Sequence, residues 1–152
     1  MASERPLLDL GFEYRPAVPA TLEAIHFECE QFCNLAKAKL PTSVPDRWKL
    51  EFDTALLEIC ANIIKHAFAD SPQQGTMELH LRLYSNRVEV EITDDGAYFD
   101  EEASRAETSP GPDTDLLESG RGLKVARALL DTLRYRRSQE STNNWLLVKM
   151  LP

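Results

Sequence analysis

The strongest constraint on the fold is a pair of short segments in which apolar and polar residues alternate. Apolar residues occupy every second position from Met77 to Leu83, and the same alternation runs from Val88 to Thr93. A period of two predicts strands that are buried on one face. Residues 85–87, SerAsnArg, are suited to a tight turn, so the two segments are predicted to pair as an antiparallel hairpin.

Segments with helical periodicity lie on both sides of this hairpin. Apolar residues recur at spacings of three and four in three segments, which are predicted to be helices: 21–40, 46–69 and 122–132. Further strands are predicted at 8–14, 133–137 and 145–151. The order strand, helix, helix, hairpin, loop, helix, hairpin predicts an α+β fold. We expect a two-layer sandwich whose mixed, mainly antiparallel sheet carries helices on one face.

Length and composition narrow the class of protein. At 152 residues the chain is most simply one domain over 1–152. No apolar run reaches the ~20 residues that span a bilayer, and the start lacks the pattern of a signal peptide. The cytoplasm is therefore the expected compartment. The odd count of three cysteines argues against a disulfide framework, and Cys29 and Cys33 fall in phase with core residues, so no metal site is expected there.

The negative charge is concentrated in one segment. The formal net charge is −8, and residues 100–119 hold seven acidic residues against one base, Arg105. This balance disfavours nucleic acids and anionic membranes as partners and suits a basic protein. A solvated loop explains the charge equally well. Pro110, Gly111 and Pro112 mark the same segment as part of a long mobile loop over about 97–119.

The helix predicted over 46–69 places three polar side chains on one face. Glu58, Asn62 and Lys65 lie within a sector roughly 60° wide, nearly opposite the centre of the apolar face. A carboxylate can accept a proton from a hydroxyl, an amide oxygen can ligate magnesium and an ammonium can bind phosphate. A solvated polar face with a Glu-to-Lys pair explains the same pattern, and for this segment alone it is the better explanation.

Two glycine-containing segments add to this helix. Asp94 ends a predicted strand, where a fixed carboxylate can accept a hydrogen bond from an exocyclic amine such as that of adenine, and Gly96 lets the backbone approach a flat ring. SerGlyArgGlyLeu at 119–123 opens a predicted helix, so its backbone N–H groups and Arg121 can face an anion. Taken singly, the first segment is a turn and the second is weak evidence.

Together, in this order and spacing, the three segments resemble the motifs of the GHKL ATPase superfamily, named for gyrase, Hsp90, histidine kinases and MutL. Glu58, Asn62 and residues 65–67 resemble its N-box, Asp94 with Gly96 its first glycine box, and residues 120–123 its second. The likeness is greatest to the small single-domain anti-sigma-factor serine kinases of bacteria. It implies the two-layer ATP-binding fold of that superfamily, known as the Bergerat fold.

The resemblance also implies cofactors and roles. The cofactors would be ATP and Mg²⁺, with Glu58 as catalytic general base toward a serine hydroxyl, Asn62 as the magnesium ligand and Asp94 as the adenine-binding residue. Other nucleotide-binding residues would be Lys65, Gly96, Gly120, Arg121, Gly122 and Leu123. The loop at about 97–119 would be the ATP lid.

The implied function is that of an anti-sigma factor and serine/threonine protein kinase. Its partners would be a sigma factor and an anti-anti-sigma protein of the STAS type, which it would phosphorylate to regulate transcription; homodimers are common in this family. Tyr98, where the family often has a second glycine, and the acidic lid favour an alternative, a regulator with weak or no catalysis whose partner binding is gated by nucleotide. A nucleotide-free scaffold ranks last, because Asn62 and Asp94 have no evident packing role.

Overall fold

The structure is a computed structural model, and the residues it describes are 4–15, 20–67, 75–97 and 121–152. Within these ranges the side chains not described are those of Ala20, Ala67 and Arg121. The predicted lid lies outside the described residues except for Ala97, and Tyr98 and Gly120 lie outside them as well.

The described residues form five strands and three helices, in the order that the sequence predicts. The strands are β1 Leu8–Tyr14, β2 Met77–Leu83, β3 Arg87–Asp94, β4 Thr132–Arg137 and β5 Asn143–Met150. The helices are α1 Ala20–Lys39, α2 Asp46–Ala67 and α3 Arg121–Leu129.

Two of the boundaries that differ from the prediction are set by strand pairing. The third helix ends at Leu129 rather than 132, because Thr132 already pairs with Val148 in the sheet. The last strand begins at Asn143 rather than 145, because Asn143 pairs with Asp94 across the sheet. A pattern of apolar residues cannot reveal a strand end that is polar.

The sheet has the strand order β1-β2-β3-β5-β4, and each pair of neighbours among the described strands is antiparallel. The predicted α+β class and antiparallel sheet are therefore confirmed, whereas the described strands contribute no parallel pair to the mixed sheet that was expected. Residues on alternate positions of the three central strands are buried with the helices in one core. The other face of the sheet carries polar residues such as Glu78, which is exposed, and Arg82.

Contacts at the end of β5 orient the two helices that carry the candidate residues. The Trp48 indole Nε1 donates a hydrogen bond to the Met150 carbonyl over 2.7 Å, so α2 begins at the C-terminal end of β5. The Lys149 ammonium donates to the Glu51 carboxylate at 3.0 Å and to the Leu129 carbonyl at 2.7 Å. These bonds hold the start of α2 and the end of α3 at this end of the sheet.

The far half of α2 therefore lies toward the other end of β5. A helix rises about 1.5 Å per residue, so from Trp48 to Asn62 the axis advances roughly 21 Å. Glu58 and Asn62 thus lie well along α2 from the contact that Trp48 makes with the C-terminal end of β5. Within the described ranges, no helix is long and apolar enough to cross a membrane.

Candidate active site

Asp94 is a buried carboxylate at the end of β3, with only 1% of its surface exposed. Its Oδ1 accepts hydrogen bonds from the Gly96 backbone N–H at 2.9 Å and from the Asn143 amide at 2.8 Å. Its Oδ2 is buried and has no hydrogen-bond partner among the described residues. Burial raises the pKa of Asp94, while the bonds from Asn143 and Gly96 act in the opposite direction. Asp94 Oδ2 can therefore accept a hydrogen bond from a ligand.

Asn143 is a residue of the candidate site that the sequence did not predict, since it precedes the strand expected at 145–151. Its amide donates to Asp94 and also to the Ala97 carbonyl at 2.9 Å, while its own oxygen accepts from Tyr135 and Arg137. Its only sequence signal is that it stands in phase with the buried residue Trp145. Asn143 therefore fixes both the rotamer of Asp94 and the path of the chain that follows it.

Gly96 lies beside this carboxylate and is held by the same group of side chains. Its N–H binds Asp94, and its carbonyl accepts from Arg137 at 2.8 Å and from Asn143 at 3.3 Å. The backbone after β3 is therefore held at Gly96 by the neighbouring Asp94 and by two residues that are distant in sequence. This places a glycine, which has no side chain to obstruct a ligand, next to the unpartnered oxygen of Asp94.

Asn62 lies on α2 and is partly buried. Its Nδ2 is buried and has no hydrogen-bond partner among the described residues. The predicted apolar face of α2 is buried, and so are the side chains of Cys60 and Ile64 beside Asn62, because α2 packs between other elements. The explanation of a solvated face therefore fails for Asn62, whereas Lys65, near the end of the helix, is exposed as that explanation predicts.

Glu58 meets the N-terminal turn of α3. A Cβ atom added at Gly122 would lie 2.2 Å from Glu58 Oε2, so the carboxylate occupies the space that a side chain would need. The first N–H groups of a helix have no partners within it, and they carry the positive end of the helix dipole. The predicted second glycine box is thus brought against the predicted N-box.

Of the remaining predicted residues in the segment 119–123, the structure describes some and not others. Leu123 is 5% exposed and its side chain belongs to the core, so only its backbone N–H is available to a ligand. Gly120 lies outside the described residues, as does the side chain of Arg121. Their predicted roles at phosphate remain predictions.

The residues that are present fit a magnesium nucleotide. The unpartnered Asp94 oxygen suits an amine N–H, and the unpartnered Asn62 Nδ2 can donate to an acceptor such as a phosphate oxygen. The Asn62 amide oxygen is of the type that ligates magnesium, and the start of α3 suits phosphate. No group of three or more His, Cys, Asp or Glu side chains able to hold a metal occurs in the part of the chain that the structure describes. A magnesium ion bound mainly through phosphates needs no such group.

Comparison with known proteins points to one family. The profile of the histidine kinase-like ATPase domain matches residues 16–150. The serine-protein kinase RsbW of Halalkalibacterium halodurans is 38% identical over 81 residues, which cover 51% of this chain and 48% of that protein. The proteins of the same name from Staphylococcus epidermidis and Bacillus cereus are 31% and 32% identical over 81 and 84 residues.

These alignments cover part of each protein. The chain spans about half the length of the curated relatives it matches, with 51% of the Staphylococcus epidermidis and Bacillus cereus proteins covered. Among solved structures, the mycobacterial sensor histidine kinase MprB aligns with 93% of this chain and 98% of its own, at a TM-score of 0.49 and 13% identity. Because the family profile extends over nearly the whole sequence, the chain belongs to the histidine kinase-like ATPase domain family.

Proposed function

We propose that this protein binds Mg-ATP and acts as an anti-sigma factor and serine/threonine protein kinase, transferring phosphate to an anti-anti-sigma partner. The observation that carries the proposal is the pair of buried, unpartnered polar atoms, Asp94 Oδ2 and Asn62 Nδ2. Buried polar groups are nearly always hydrogen-bonded in folded proteins, so these exceptions support a ligand site; Tyr14 Oη of β1 is a third such atom among the described residues.

Asp94 is the adenine-binding residue in this proposal. Its free oxygen accepts from the exocyclic amine, while Asn143 and Gly96 hold the other oxygen and prevent rotation. Asn62 holds magnesium, which neutralises phosphate charge when it is bound. The backbone N–H groups of Gly122 and Leu123 bind phosphate at the start of α3.

Glu58 is the general base, and it takes the proton from the hydroxyl of the incoming serine. Its carboxylate already lies against the first turn of α3, so the base and the phosphate-binding helix are held together by packing. Serine is proposed as the acceptor because the relatives RsbW carry the name serine-protein kinase. The sigma factor, the STAS-type phosphoacceptor and homodimer formation belong to the same proposal.

The nucleotide site is tested by calorimetric titration of ATP and ADP, with and without magnesium, on the wild type and Asn62→Ala. We expect binding that depends on magnesium and is weakened in Asn62→Ala. The matched control is Asn144→Ala, which removes an asparagine on the opposite face of the sheet that bonds Thr93. Absence of binding to the wild type at millimolar nucleotide would refute the site.

Kinase activity is tested by transfer of labelled phosphate from ATP to a cognate anti-anti-sigma protein. General-base catalysis typically contributes ~10²–10⁴-fold, so Glu58→Gln should lower the transfer rate by a factor in that range. Glu78→Gln, on the exposed face of β2, is the matched control and should retain the wild-type rate. If nucleotide binds and changes partner affinity but Glu58→Gln has no effect, the protein is a nucleotide-gated regulator and not a kinase.

A further inference from the structure

The two edges of the sheet carry opposite charges on the face that points away from the helices. At one edge, β1 exposes the acidic residues Asp9 and Glu13. At the other edge, β4 exposes Arg134 and Arg136, which alternate with residues that face the helices. Among the residues that the structure describes, neither arginine has an ion-pair partner, whereas Asp9 lies 3.6 Å from Arg82. The β4 edge therefore holds positive charge that the described part of the fold does not neutralise.

A cavity of about 560 Å³ adjoins this edge. Its lining includes Arg134 and Arg136, and also Leu133 and Tyr135, whose side chains pack against the core on the other face of β4. A cavity that is lined from both faces of one strand is not confined to either face, so it includes the edge of β4. None of the described residues assigned to the nucleotide lines it.

The charge in this cavity is mainly positive. Arg127 of α3 lines it together with Arg134 and Arg136, and Glu91 of β3 is the acidic residue of its lining. The Glu91 carboxylate accepts a hydrogen bond from the Arg82 guanidinium at 2.9 Å. Three guanidinium groups therefore share the cavity with one carboxylate that is already paired, and this balance favours an acidic occupant.

The backbone of β4 presents hydrogen-bonding groups along the same edge. The Ser138 N–H donates to the Thr142 carbonyl at 2.8 Å, next to the turn that joins β4 to β5. Because hydrogen bonding alternates along an antiparallel pair, the backbone groups of Leu133 and Tyr135 point away from β5. Among the described strands, β4 pairs with β5 alone, so these groups can bond an added strand.

We propose that the edge of β4 binds an extended, acidic segment of a partner protein as an added strand. The backbone of the segment bonds Leu133 and Tyr135. Its side chains opposite Arg134 and Arg136 lie on the outer face in non-hydrogen-bonded pairs, where side chains of neighbouring strands approach most closely. The segment therefore carries acidic residues at every second position. This surface is separate from the proposed nucleotide site and does not depend on it.

A second copy of the chain fits this edge less well than an acidic segment. Pairing β4 with β4 of another copy would set arginines against arginines on the outer face, which is destabilising. Pairing it with β1 would match one arginine at a time, because Gly11 stands between Asp9 and Glu13 on that face. Nucleic acid is disfavoured by the formal net charge of −8.

The test is titration of the chain of 152 residues with a labelled peptide of alternating glutamate and valine, followed by fluorescence anisotropy at low salt. One control peptide has glutamine for glutamate, and another has the same composition with its glutamates contiguous. We expect the alternating acidic peptide to bind about tenfold more tightly than the first control and about threefold more tightly than the second. No binding at millimolar peptide would overturn the proposal.

Variants of the two arginines test the charge. Arg134→Gln and Arg136→Gln should each weaken binding about threefold, and together about tenfold, because exposed ion pairs are modest in strength. Arg5→Gln removes an exposed arginine that precedes the opposite edge strand, so it is the matched control and should leave the affinity unchanged. Unchanged affinity in the double variant would overturn the proposal.

Amide hydrogen exchange measured by NMR locates the peptide on the sheet. The N–H groups of Leu133 and Tyr135 should exchange readily in the chain alone and become protected when the peptide binds, whereas that of Arg134, which bonds β5, should change little. Protection of the first two without peptide would mean that the chain itself or a second copy covers the edge, and the proposal would be wrong. Equal binding of a single-stranded oligonucleotide would also overturn it, since the edge would then attract any polyanion.

Discussion

The helix-facing side of β5 has a buried polar residue near each end, and the two ends differ in how their polar groups are satisfied. Near the C-terminal end, Lys149 is 7% exposed and is bonded by the Glu51 carboxylate and the Leu129 carbonyl. At the N-terminal end, Asn143 is fully used, yet its partner Asp94 keeps one buried oxygen without a donor.

This difference separates a structural network from a candidate binding site. A buried polar group whose partners are all supplied by the protein holds the fold together, and at Lys149 it joins α2, α3 and β5. A buried polar group with a missing partner lowers stability unless a ligand supplies that partner. Evidence for function in this chain therefore comes from incomplete hydrogen bonding and not from burial alone.

The strongest test of the structural network is Lys149→Met, which keeps most of the aliphatic chain and removes the ammonium. We expect a loss of about 3 kcal/mol in the free energy of unfolding, because a buried carbonyl and a carboxylate lose their donor. The measurement is urea denaturation at neutral pH. ATP affinity of the folded protein should change little, and a large drop in affinity with unchanged stability would reverse the assignment of this end.

Asp94→Asn tests the opposite end. Nucleotide affinity should fall by about 2 kcal/mol, because the bond to a charged acceptor is lost, while the ligand-free protein should not lose stability at neutral pH. Isothermal titration and urea denaturation measure the two quantities.

The pH dependence of this variant has a definite sign. Burial raises the pKa of folded Asp94 above its ordinary value of 3.8, so the stability that its protonated form contributes is lost as the pH rises through the folded pKa. The free energy of unfolding of Asp94→Asn relative to the wild type should therefore increase as the pH rises above about 4. A difference that is independent of pH would contradict the buried carboxylate.

Gly122→Ala tests the contact between Gly122 and Glu58 within the candidate site. The new methyl group would lie 2.2 Å from the Glu58 carboxylate, which is the flexible end of its side chain and must move away. Phosphate transfer should fall about tenfold through misplacement of the base, while stability stays equal or rises by up to about 0.5 kcal/mol, since alanine favours helix. Lys124→Ala, two residues on and exposed, is the control for α3.

His26→Gln tests whether exposed polar contacts matter to the fold. His26 bonds Asp53 at 3.0 Å and Glu30 at 3.2 Å, and the bond to Asp53 is the main cause of its raised pKa. The stabilisation is therefore full below about pH 6.5 and is lost as the pH rises through the folded pKa. We expect a cost of less than about 0.5 kcal/mol at pH 6 and none at pH 9, measured by urea denaturation, because exposed pairs are screened. A larger cost would show that burial is not what separates strong from weak networks here.

Much of the fold could be predicted because it depends on local periodicity. The alternation from Met77 to Leu83 gives the observed β2 with unchanged bounds, and the helical spacing before it gives α2 from Asp46. The boundaries that failed, at Thr132 and Asn143, are set by pairing with β5 and β3. Such pairing joins residues that no local window contains.

The residues of the candidate site also fall into those that local sequence predicts and those that it does not. Glu58, Asn62 and Asp94 could be chosen from the sequence because their spacing and their place at the end of a strand or on a helix face are local properties. Asn143 could not, since its role depends on a hydrogen bond to a residue 49 positions away. The solvated-face explanation for Asn62 could not be excluded either, because it fails only once neighbouring elements cover α2.

The sequence by itself therefore determined the order of elements, the antiparallel hairpins and the choice of chemical groups at the site. Only the tertiary structure decided that Asp94 Oδ2 and Asn62 Nδ2 are buried atoms without partners among the described residues, that Asn143 fixes Asp94, and that Gly122 makes room for Glu58. The physical reason is that periodicity depends on residues close in sequence, whereas desolvation and hydrogen-bond satisfaction depend on which residues distant in sequence come into contact.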